Sequence, residues 1–511
     1  MKEGRTYKVL RNVGSGLGFR LISILLPFIL RTVMIRYMGI QYAGLNTLFH
    51  SILQVLNMAE LGFGSALTFS MYKPLVEKDE EKICQLLNLY KVIYNRLGGV
   101  ILFLGILMTP FLPYLIKGSY PSDINIYILF WIYIIDTVAS YFLFAYMQSL
   151  LNADQRSDIV NLIRMGTYTI SYILQIIMIM VFKNYYAYLI FTPICTIVNN
   201  ILTAVCAKRM YPNYQCKGEI SDREKNVIFN KVKALAGHKV GNVLVASLDS
   251  VVVSAFLGLT TVGIYGNYYY IITALGGIID VIHNALIASV GNAIATESKE
   301  KIYDIFNKLN FLMAWGMCFC CIGLICLLQP FILLWVGEEG LFPTATMVLS
   351  VVYFYSRKSR LIGLGFKDAA GLWEADFWKP YIGAALNLIL NIVLVNIMGV
   401  NGVYIATIFV MFGVYFPFET RAIFRGIFER SSVEYILQYG FYTFSTVVSC
   451  GVAYCCTTLV TINGFGGLII KGIIGIVSGN FVYLLIALIN RNSRRQILAL
   501  VRDIPVLSKK R

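Results

Sequence analysis

A stretch near the amino terminus, residues 20–36, reads RLISILLPFILRTVMIR and combines a long apolar run with three arginines. The run is apolar enough to lie in the hydrocarbon core of a bilayer. An arginine at the centre of a membrane nevertheless costs roughly 2.5–3.5 kcal/mol on insertion scales. The stretch therefore predicts a transmembrane helix that retains charges for a purpose inside the protein.

Apolar runs of the same kind recur along the whole chain of 511 residues, which is 58% hydrophobic and only 14% charged. A soluble protein of this length needs a more polar surface than this composition can provide. The predicted spans are 12–36, 40–72, 84–116, 122–150, 158–182, 185–206, 234–258, 262–296, 309–336, 341–366, 374–398, 400–420, 432–460 and 464–490. The sequence thus predicts an all-α polytopic membrane protein with about fourteen transmembrane helices.

The basic residues are distributed unevenly between the two sides that this topology defines. If the amino terminus is cytoplasmic, 32 of the 43 lysines and arginines fall in cytoplasmic segments. Such a bias is the positive-inside pattern of membrane proteins. It predicts a multi-pass protein of the cell membrane with both termini in the cytoplasm. The net charge of +16 then reflects topology and contact with anionic lipid rather than binding to nucleic acid.

Two stretches of the sequence echo each other, and they read MGIQYAGLNTLFHSILQ from Met38 and LGLTTVGIYGNYYYIIT from Leu257. An offset of 219 residues aligns Gly39 with Gly258 and Gly44 with Gly263. Parallel repeats of this kind place a substrate path between two halves. The predicted organisation is an amino-terminal lobe (1–206, helices 1–6), a cytoplasmic linker (207–233), a carboxy-terminal lobe (234–430, helices 7–12), helices 13–14 (431–490) and a basic tail (491–511).

Polar residues form stripes on the first helices of both predicted lobes. Arg20 and Arg31 share a face of helix 1, and the repeat aligns Arg20 with Lys239. These stripes predict a cationic cavity between the lobes. Its predicted substrate-binding cations are Arg20, Arg31, Lys239, Arg357 and Arg360, and its predicted polar lining is His50, Asn57, Asn242, Tyr265, Tyr269 and His283.

Three acidic residues within the predicted spans are candidates for binding a coupling ion, sodium or a proton. They are Asp249, Asp280 and Glu60. Intramembrane acids often mark ion pathways. The alternative is that these charges pair with neighbouring cations, such as Asp249 with Lys239, and simply fix the helix packing.

Enzymatic chemistry has little support in the sequence, which predicts no catalytic residue, metal site or cofactor. The stretch NVGSGLGF from Asn12 is rich in glycine but lacks a preceding strand and the lysine of a phosphate-binding loop. A membrane-embedded transferase and a channel are the alternatives to a secondary transporter or flippase. The repeats and the central charges favour the transporter.

Four stretches carry a family resemblance over nearly the full length of the chain. They are NVGS at the start of the arginine-containing helix 1, MGIQYAGLNTL, LDSVVVSAFLGLTTVGIYGNYYYI, and AAGLWEADFWKPYIGAALNLILNIVLVNIMGVNGVYIAT. In these stretches the chain resembles the Wzx-type repeat-unit flippases, which are polysaccharide transporters of the multidrug/oligosaccharidyl-lipid/polysaccharide (MOP) superfamily.

This resemblance implies a two-lobed bundle of fourteen helices that moves polyprenyl pyrophosphate-linked oligosaccharide from the inner to the outer leaflet by alternating access. It also implies membrane lipid and a polysaccharide polymerase as partners. Arginines suit such a substrate because the guanidinium group binds phosphate through two parallel hydrogen bonds. Lipid II flippases, which share fourteen helices and a cationic cavity, remain the alternative. Drug/cation antiporters usually have twelve helices and fit less well.

Overall fold

The computed structural model describes the backbone of residues 5–462 and 464–503, and within these ranges it contains helices and no strands. Side chains are described in the same ranges except at 5–13, 17, 59, 231, 233–239, 242, 285–286, 288–289 and 499–503. The helices are α1 (Arg5–Met38), α2 (Ile40–Leu56), α3 (Phe63–Glu77), α4 (Glu80–Met108), α5 (Ile126–Phe142), α6 (Ala145–Ala153), α7 (Ser157–Phe182), α8 (Tyr185–Leu189), α9 (Phe191–Met210), α10 (Asp222–Leu257), α11 (Leu259–Thr296), α12 (Lys299–Trp335), α13 (Thr344–Lys358), α14 (Leu361–Ala369), α15 (Lys379–Met398), α16 (Val400–Val410), α17 (Phe416–Ile423), α18 (Val433–Thr458), α19 (Gly464–Ile489) and α20 (Arg491–Asp503).

The predicted all-α polytopic architecture is confirmed, and each predicted span coincides with one helix or with consecutive helices. Among the described residues, eight helices are long and apolar enough to cross a membrane without interruption. The α5–α6 pair, bent by 51°, makes a ninth if it counts as one span. The sequence-based total is larger because it also counts interrupted segments, such as 40–72, where a short 3₁₀ turn at Asn57–Glu60 separates α2 from α3. The total of fourteen stays a prediction.

Contacts between residues divide the chain into two compact units, Met1–Gly266 and Asn267–Arg511. The division falls inside α11, and α10 lies in the first unit because it packs along α2 and α3. This boundary differs from the linker at 207–233 that separates the repeat-based lobes. The lobes remain a prediction from the sequence repeat, whereas the two units are groups of residues that contact one another in the structure.

The predicted repeat has a counterpart in the packing of the first unit, where α2 crosses the start of α11. A Cβ atom at Gly44 would overlap the carbonyl oxygen of Leu259, and one at Gly263 would overlap the carbonyl oxygen of Ile40. The offset of 219 residues aligns Gly44 with Gly263 and Ile40 with Leu259, so the two contacts are equivalent in the repeat. The side chain of Gln41 meets that of Thr260 with the same separation of 219. The crossing is therefore locally two-fold symmetric.

Glycines also begin the two helices that cross. Gly39 precedes α2 with φ of 107°, and Gly258 precedes α11 with φ of 84°. Positive φ angles are accessible to glycine at little cost and are strained for residues with a Cβ atom. The repeat therefore aligns two glycines because each copy needs a positive φ angle just before its helix begins.

The predicted cytoplasmic linker, which belongs to the first unit, packs against α4. Lys82 donates to Glu224 at 2.5 Å, and Asn88 donates to the carbonyl oxygen of Gly218 at 2.8 Å. The hydrogen bond from Lys82 lowers the pKa of the Glu224 carboxyl. These contacts tie the start of α10 and the segment that precedes it to the first turns of α4.

In the second unit, α12, α18 and α19 all pack against one another, and α15 pairs with α16. Asn387 of α15 donates to the hydroxyl of Thr407 on α16 at 2.9 Å, and both side chains are fully buried. An aromatic cluster around Phe306, Phe366 and Phe428 fills the space between α12, α14 and the turn after α17. Helix α13, which carries part of the cavity described next, packs against α12 and α16.

Candidate functional site

A polar cavity of about 130 Å³ lies in the second unit between α11 and α13. It is lined by four residues of α11 and four of α13, namely Tyr269, Ile272, Thr273, Asp280, Tyr353, Phe354, Arg357 and Lys358. We refer to it as the Lys358 cavity. The spacing of the lining residues on α11 places them on one face of that helix.

An ion pair joins the two walls of the Lys358 cavity. The ammonium group of Lys358 lies 2.6 and 2.8 Å from the two carboxylate oxygens of Asp280. The Lys358 side chain is 20% exposed and the Asp280 side chain 46%. Gly276, one turn before Asp280, leaves room for this pair because a Cβ atom there would lie 2.7 Å from Cε of Lys358.

Arg357 supplies the second cation of the cavity. Its guanidinium donates to the hydroxyl of Tyr353 at 2.6 Å and lies 5.4 Å from the centre of that ring. Both cations occupy the last turn of α13, where the helix dipole favours positive charge. With two cations and one carboxylate, the lining carries a net positive charge beside aromatic rings.

The structure brings three of the predicted site residues together here, Tyr269, Asp280 and Arg357. His283, one turn further along α11, is buried and contacts Gly365 of α14 in a small apolar pocket. Arg360 lies after α13 and outside the Lys358 cavity. Lys358 is not among the predicted site residues, and its pairing with Asp280, 78 residues away, is seen only in the fold.

Arg360 belongs to a buried network of five charged residues, which we call the Glu419 network. Its members are Arg360, Lys367, Asp376, Lys379 and Glu419, and each is at most 8% exposed. Glu419 forms an ion pair with Arg360 and accepts from Lys379 at 2.8 Å. Asp376 accepts from Lys379 at 2.5 Å and from Lys367 at 2.9 Å.

The Glu419 network holds three cations and two carboxylates, and the Tyr415 ring lies 5.0 Å from the Arg360 guanidinium. It joins α14, the 3₁₀ turn Glu374–Asp376, α15 and α17. In the sequence, Lys367 and Lys379 count among the cytoplasmic loop cations, and nothing singles out Glu419. Four members lie within 20 residues of one another, but Glu419 lies 40 residues beyond Lys379, so the sequence alone does not show that they meet.

In the first unit, the predicted cation Arg31 forms hydrogen bonds with α2 and α11. Its guanidinium donates to the hydroxyl of Thr47 at 3.2 Å and to the carbonyl oxygen of Gly263 at 3.0 Å. It thereby fastens α1 to the α2–α11 crossing. His50 lies on α2 with its ring 5.6 Å from that of Tyr133 and its side chain exposed.

The remaining predicted residues of the first unit differ in burial. Arg20 is exposed on α1, whereas Tyr265 and Asp249 are fully buried on α11 and α10. The side chains of Lys239 and Asn242 lie outside the described residues. Their predicted place in the cavity is therefore not described.

Glu60 lies in the 3₁₀ turn after α2 and accepts from two tyrosines. The hydroxyl of Tyr94 lies 3.0 Å from one carboxylate oxygen and that of Tyr141 lies 2.7 Å from the other. Asn57 accepts from the same Tyr141 hydroxyl at 3.5 Å. Tyrosine hydroxyls thus hold the Glu60 carboxylate, because the break between α2 and α3 turns it toward α4 and α5.

An acidic residue that the sequence pattern did not reveal also lies in the first unit. Asp136 of α5 accepts from the hydroxyl of Thr196 on α9 at 2.5 Å. Within the described residues, no group of three His, Cys, Asp or Glu side chains is arranged to hold a metal ion. Glu60 and Asp136 are instead held by hydroxyl donors.

An apolar cavity of about 320 Å³ lies in the second unit between α12, α13 and α18. Its lining includes Cys321, Met347, Val351, Phe412, Val447 and Tyr454. Helix α13 therefore borders both cavities. It presents Tyr353, Arg357 and Lys358 to one and Met347 and Val351 to the other.

Solved structures of membrane transporters share this fold. The lipid II flippase MurJ in an inward closed conformation superposes with a TM-score of 0.63 at 18% identity, covering 94% of this chain and 98% of that one. An inward-facing multidrug resistance MATE family transporter of the MOP superfamily gives 0.57 at 12% identity, covering 82% and 98%. A mutant of the Vibrio cholerae MATE transporter VcmN gives 0.53 at 16% identity, covering 81% and 99%.

Sequence comparison provides the family. No curated protein sequence matches the chain significantly. Residues 9–287, which are more than half of the chain, match the model of a family described as polysaccharide biosynthesis protein. The chain therefore belongs to the polysaccharide biosynthesis protein family, on the polytopic helical fold of the transporters named above.

Proposed function

We propose that this protein is a flippase that moves polyprenyl pyrophosphate-linked oligosaccharide repeat units from the inner to the outer leaflet for the assembly of a cell-surface polysaccharide. It works by alternating access and makes or breaks no covalent bond. The observation that carries the proposal is the Lys358 cavity, which combines two cations with tyrosine rings. The apolar cavity on the other side of α13 and the family membership support it.

The head of the proposed substrate fits the chemistry of the Lys358 cavity. A pyrophosphate is a strong acceptor that forms short, charge-assisted hydrogen bonds with arginine and lysine. Arg357 and Lys358 supply these donors, and the rings of Tyr269 and Tyr353 provide flat apolar surfaces for sugar faces. The inside-negative membrane potential favours outward movement of an anion by about 2.3 kcal/mol per charge per 100 mV.

The tail of the proposed substrate needs apolar surroundings along its whole length. The cavity between α12, α13 and α18 provides a lining of aliphatic, aromatic and thiol groups. Because α13 borders both cavities, a ligand with a charged head and an apolar tail can contact two faces of one helix. A lipid-linked pyrophosphate has this combination, whereas a free sugar phosphate does not.

Two other transport functions are alternatives to the proposal. A lipid II flippase handles the same pyrophosphate head on a different glycan, and the MurJ likeness keeps this alternative open. A drug/cation antiporter is disfavoured by the net positive lining of the Lys358 cavity. Arg20, Arg31, Lys239 and Arg360 stay proposed cations of the translocation path.

The energy for cycling is proposed to come from a sodium or proton gradient, with Asp249 as the first candidate acid and Glu60 as the second. Asp249 is fully buried on α10, and Glu60 is held by two tyrosine hydroxyls. Intramembrane acids commonly bind coupling ions. Asp280 is set apart from them by its ion pair with Lys358.

The orientation proposed for this cycle places both termini in the cytoplasm of a cell membrane, as the basic residues predict. Membrane lipid surrounds the protein, and a polysaccharide polymerase is the proposed partner that receives the translocated units. The 207–233 segment then faces the cytoplasm.

The test of the proposed function is the lipid-linked sugar that accumulates when the protein is removed from its cell. We expect a polyprenyl pyrophosphate oligosaccharide other than lipid II to build up in the cells, as measured by mass spectrometry of extracted lipids. Re-expression of the wild-type chain should clear it. Accumulation of lipid II would favour the first alternative, and no lipid-linked intermediate at all would reject a flippase role.

A further inference from the structure

The ion pair in the Lys358 cavity raises a question that the proposed function leaves open. A site for a pyrophosphate gains from its cations, yet one of them already binds a carboxylate through both of its oxygens, at 2.6 and 2.8 Å. A fixed acidic group beside a phosphate site repels the ligand. Its presence therefore needs a reason other than affinity.

The geometry points to a pair that can open. The Asp280 side chain is 46% exposed, so its carboxylate can leave Lys358 without being stranded in an apolar environment. By contrast, the carboxylates of Asp376 and Glu419 are at most 3% exposed and each contacts two cations. Lys358 is held in place by its position over Gly276 as well as by the pair.

We propose that Asp280 is an internal counter-anion of the Lys358 cavity, which occupies the phosphate position on Lys358 in the empty transporter and is displaced by the pyrophosphate of the substrate. This inference rests on the proposed function and adds to it a specificity and release element. The carboxylate keeps Lys358 oriented and partly neutralised while the cavity is empty. Its return to Lys358 then helps to expel the anion after translocation.

Such exchange sets which ligands the cavity accepts. A group with one weak negative charge gains little by replacing a carboxylate that is already bidentate. A pyrophosphate brings more charge and more acceptor oxygens, and it can contact Arg357 at the same time as Lys358. The counter-anion therefore selects for polyanionic heads and against carboxylates and neutral lipids.

The test is the binding of inorganic pyrophosphate to purified full-length protein in detergent, measured by calorimetry at constant ionic strength. Asp280→Asn should bind pyrophosphate about tenfold more tightly than wild type, because a like charge near the ligand is removed. Asp280→Glu, which keeps the charge, should stay close to wild type. The matched control Asp304→Asn removes an exposed carboxylate from α12 and should change nothing.

The transport cycle gives a second readout that a purely structural role would not move. Asp280→Asn should lower the substrate concentration for half-maximal transport and also lower the maximal rate, because release becomes slow. Gel filtration and thermal unfolding of each variant establish that the chain is folded.

The outcomes separate this inference from the proposed function. One outcome rejects the counter-anion but keeps the cavity as a pyrophosphate site. In it, wild type binds pyrophosphate, Lys358→Met does not bind it, and Asp280→Asn binds it no more tightly than wild type. If neither wild type nor Asp280→Asn binds pyrophosphate, the inference falls together with the role of the cavity. Tighter binding by Asp280→Asn alone, with Asp304→Asn unchanged, supports the inference.

Discussion

Replacing Arg357 with glutamine and Lys358 with methionine in one variant is expected to reduce pyrophosphate binding by at least about 100-fold and to abolish transport. Each charge-assisted hydrogen bond contributes about 1.5–3 kcal/mol, so losing two removes about 3–6 kcal/mol. Both cations lie at the end of α13 and line the Lys358 cavity. The measurement is pyrophosphate calorimetry together with a transport assay on membranes that contain equal amounts of protein.

A matched control is the double variant Lys301→Met/Arg425→Gln, which removes the same two charges from exposed positions of the same unit. It should bind and transport as wild type does. Because loss of Lys358 leaves the Asp280 carboxylate without its partner, the triple variant that also carries Asp280→Asn tests whether misfolding causes the defect. Normal transport by the folded triple variant would contradict a role for these cations.

Replacing Glu419 with alanine is expected to destabilise the second unit by about 3–5 kcal/mol, because it leaves two cations buried with reduced compensation. Glu419 is 3% exposed and contacts both Arg360 and Lys379. The expected result is a large drop in the apparent melting temperature and in the monodisperse fraction after extraction. Thermal unfolding followed by gel filtration measures both.

The control for this prediction is Glu429→Ala, whose carboxylate is 66% exposed in an ion pair with Lys299. Exposed pairs of this kind contribute about 0–1 kcal/mol. The double variant Arg360→Leu/Glu419→Leu removes one cation together with one anion, so it should recover much of the lost stability. Equal melting temperatures for Glu419→Ala and Glu429→Ala would show that the network is not essential to the fold.

Much of the architecture could be predicted from the sequence because lipid imposes a simple length rule on apolar helices. The predicted span 464–490 matches α19 (Gly464–Ile489), and 158–182 matches α7 (Ser157–Phe182). The rule fails where polar residues interrupt a span. The turn at Asn57–Glu60 breaks the predicted span 40–72, and its glutamate finds tyrosine hydroxyls instead of a cation.

The candidate site could be predicted only in part, since helical periodicity gives the face of a residue but not its partner. Tyr269 and Asp280 are both among the predicted site residues, and both line the Lys358 cavity from α11. The pairing of Asp280 with Lys358 joins residues 78 positions apart. The sequence predicts the same role for Arg357 and Arg360. In the structure α13 ends between them, and Arg360 belongs to the Glu419 network.

The most direct test of the account is movement of a lipid-linked sugar across a bilayer by the purified protein. Proteoliposomes would contain a fluorescent oligosaccharide on a polyprenyl pyrophosphate, and an impermeant reagent would quench the label on the outer leaflet. We expect transfer between leaflets that needs the protein, depends on an imposed sodium or proton gradient, and is lost in the Arg357→Gln/Lys358→Met variant. Equal transfer in protein-free vesicles, or full transfer by that variant, would contradict it.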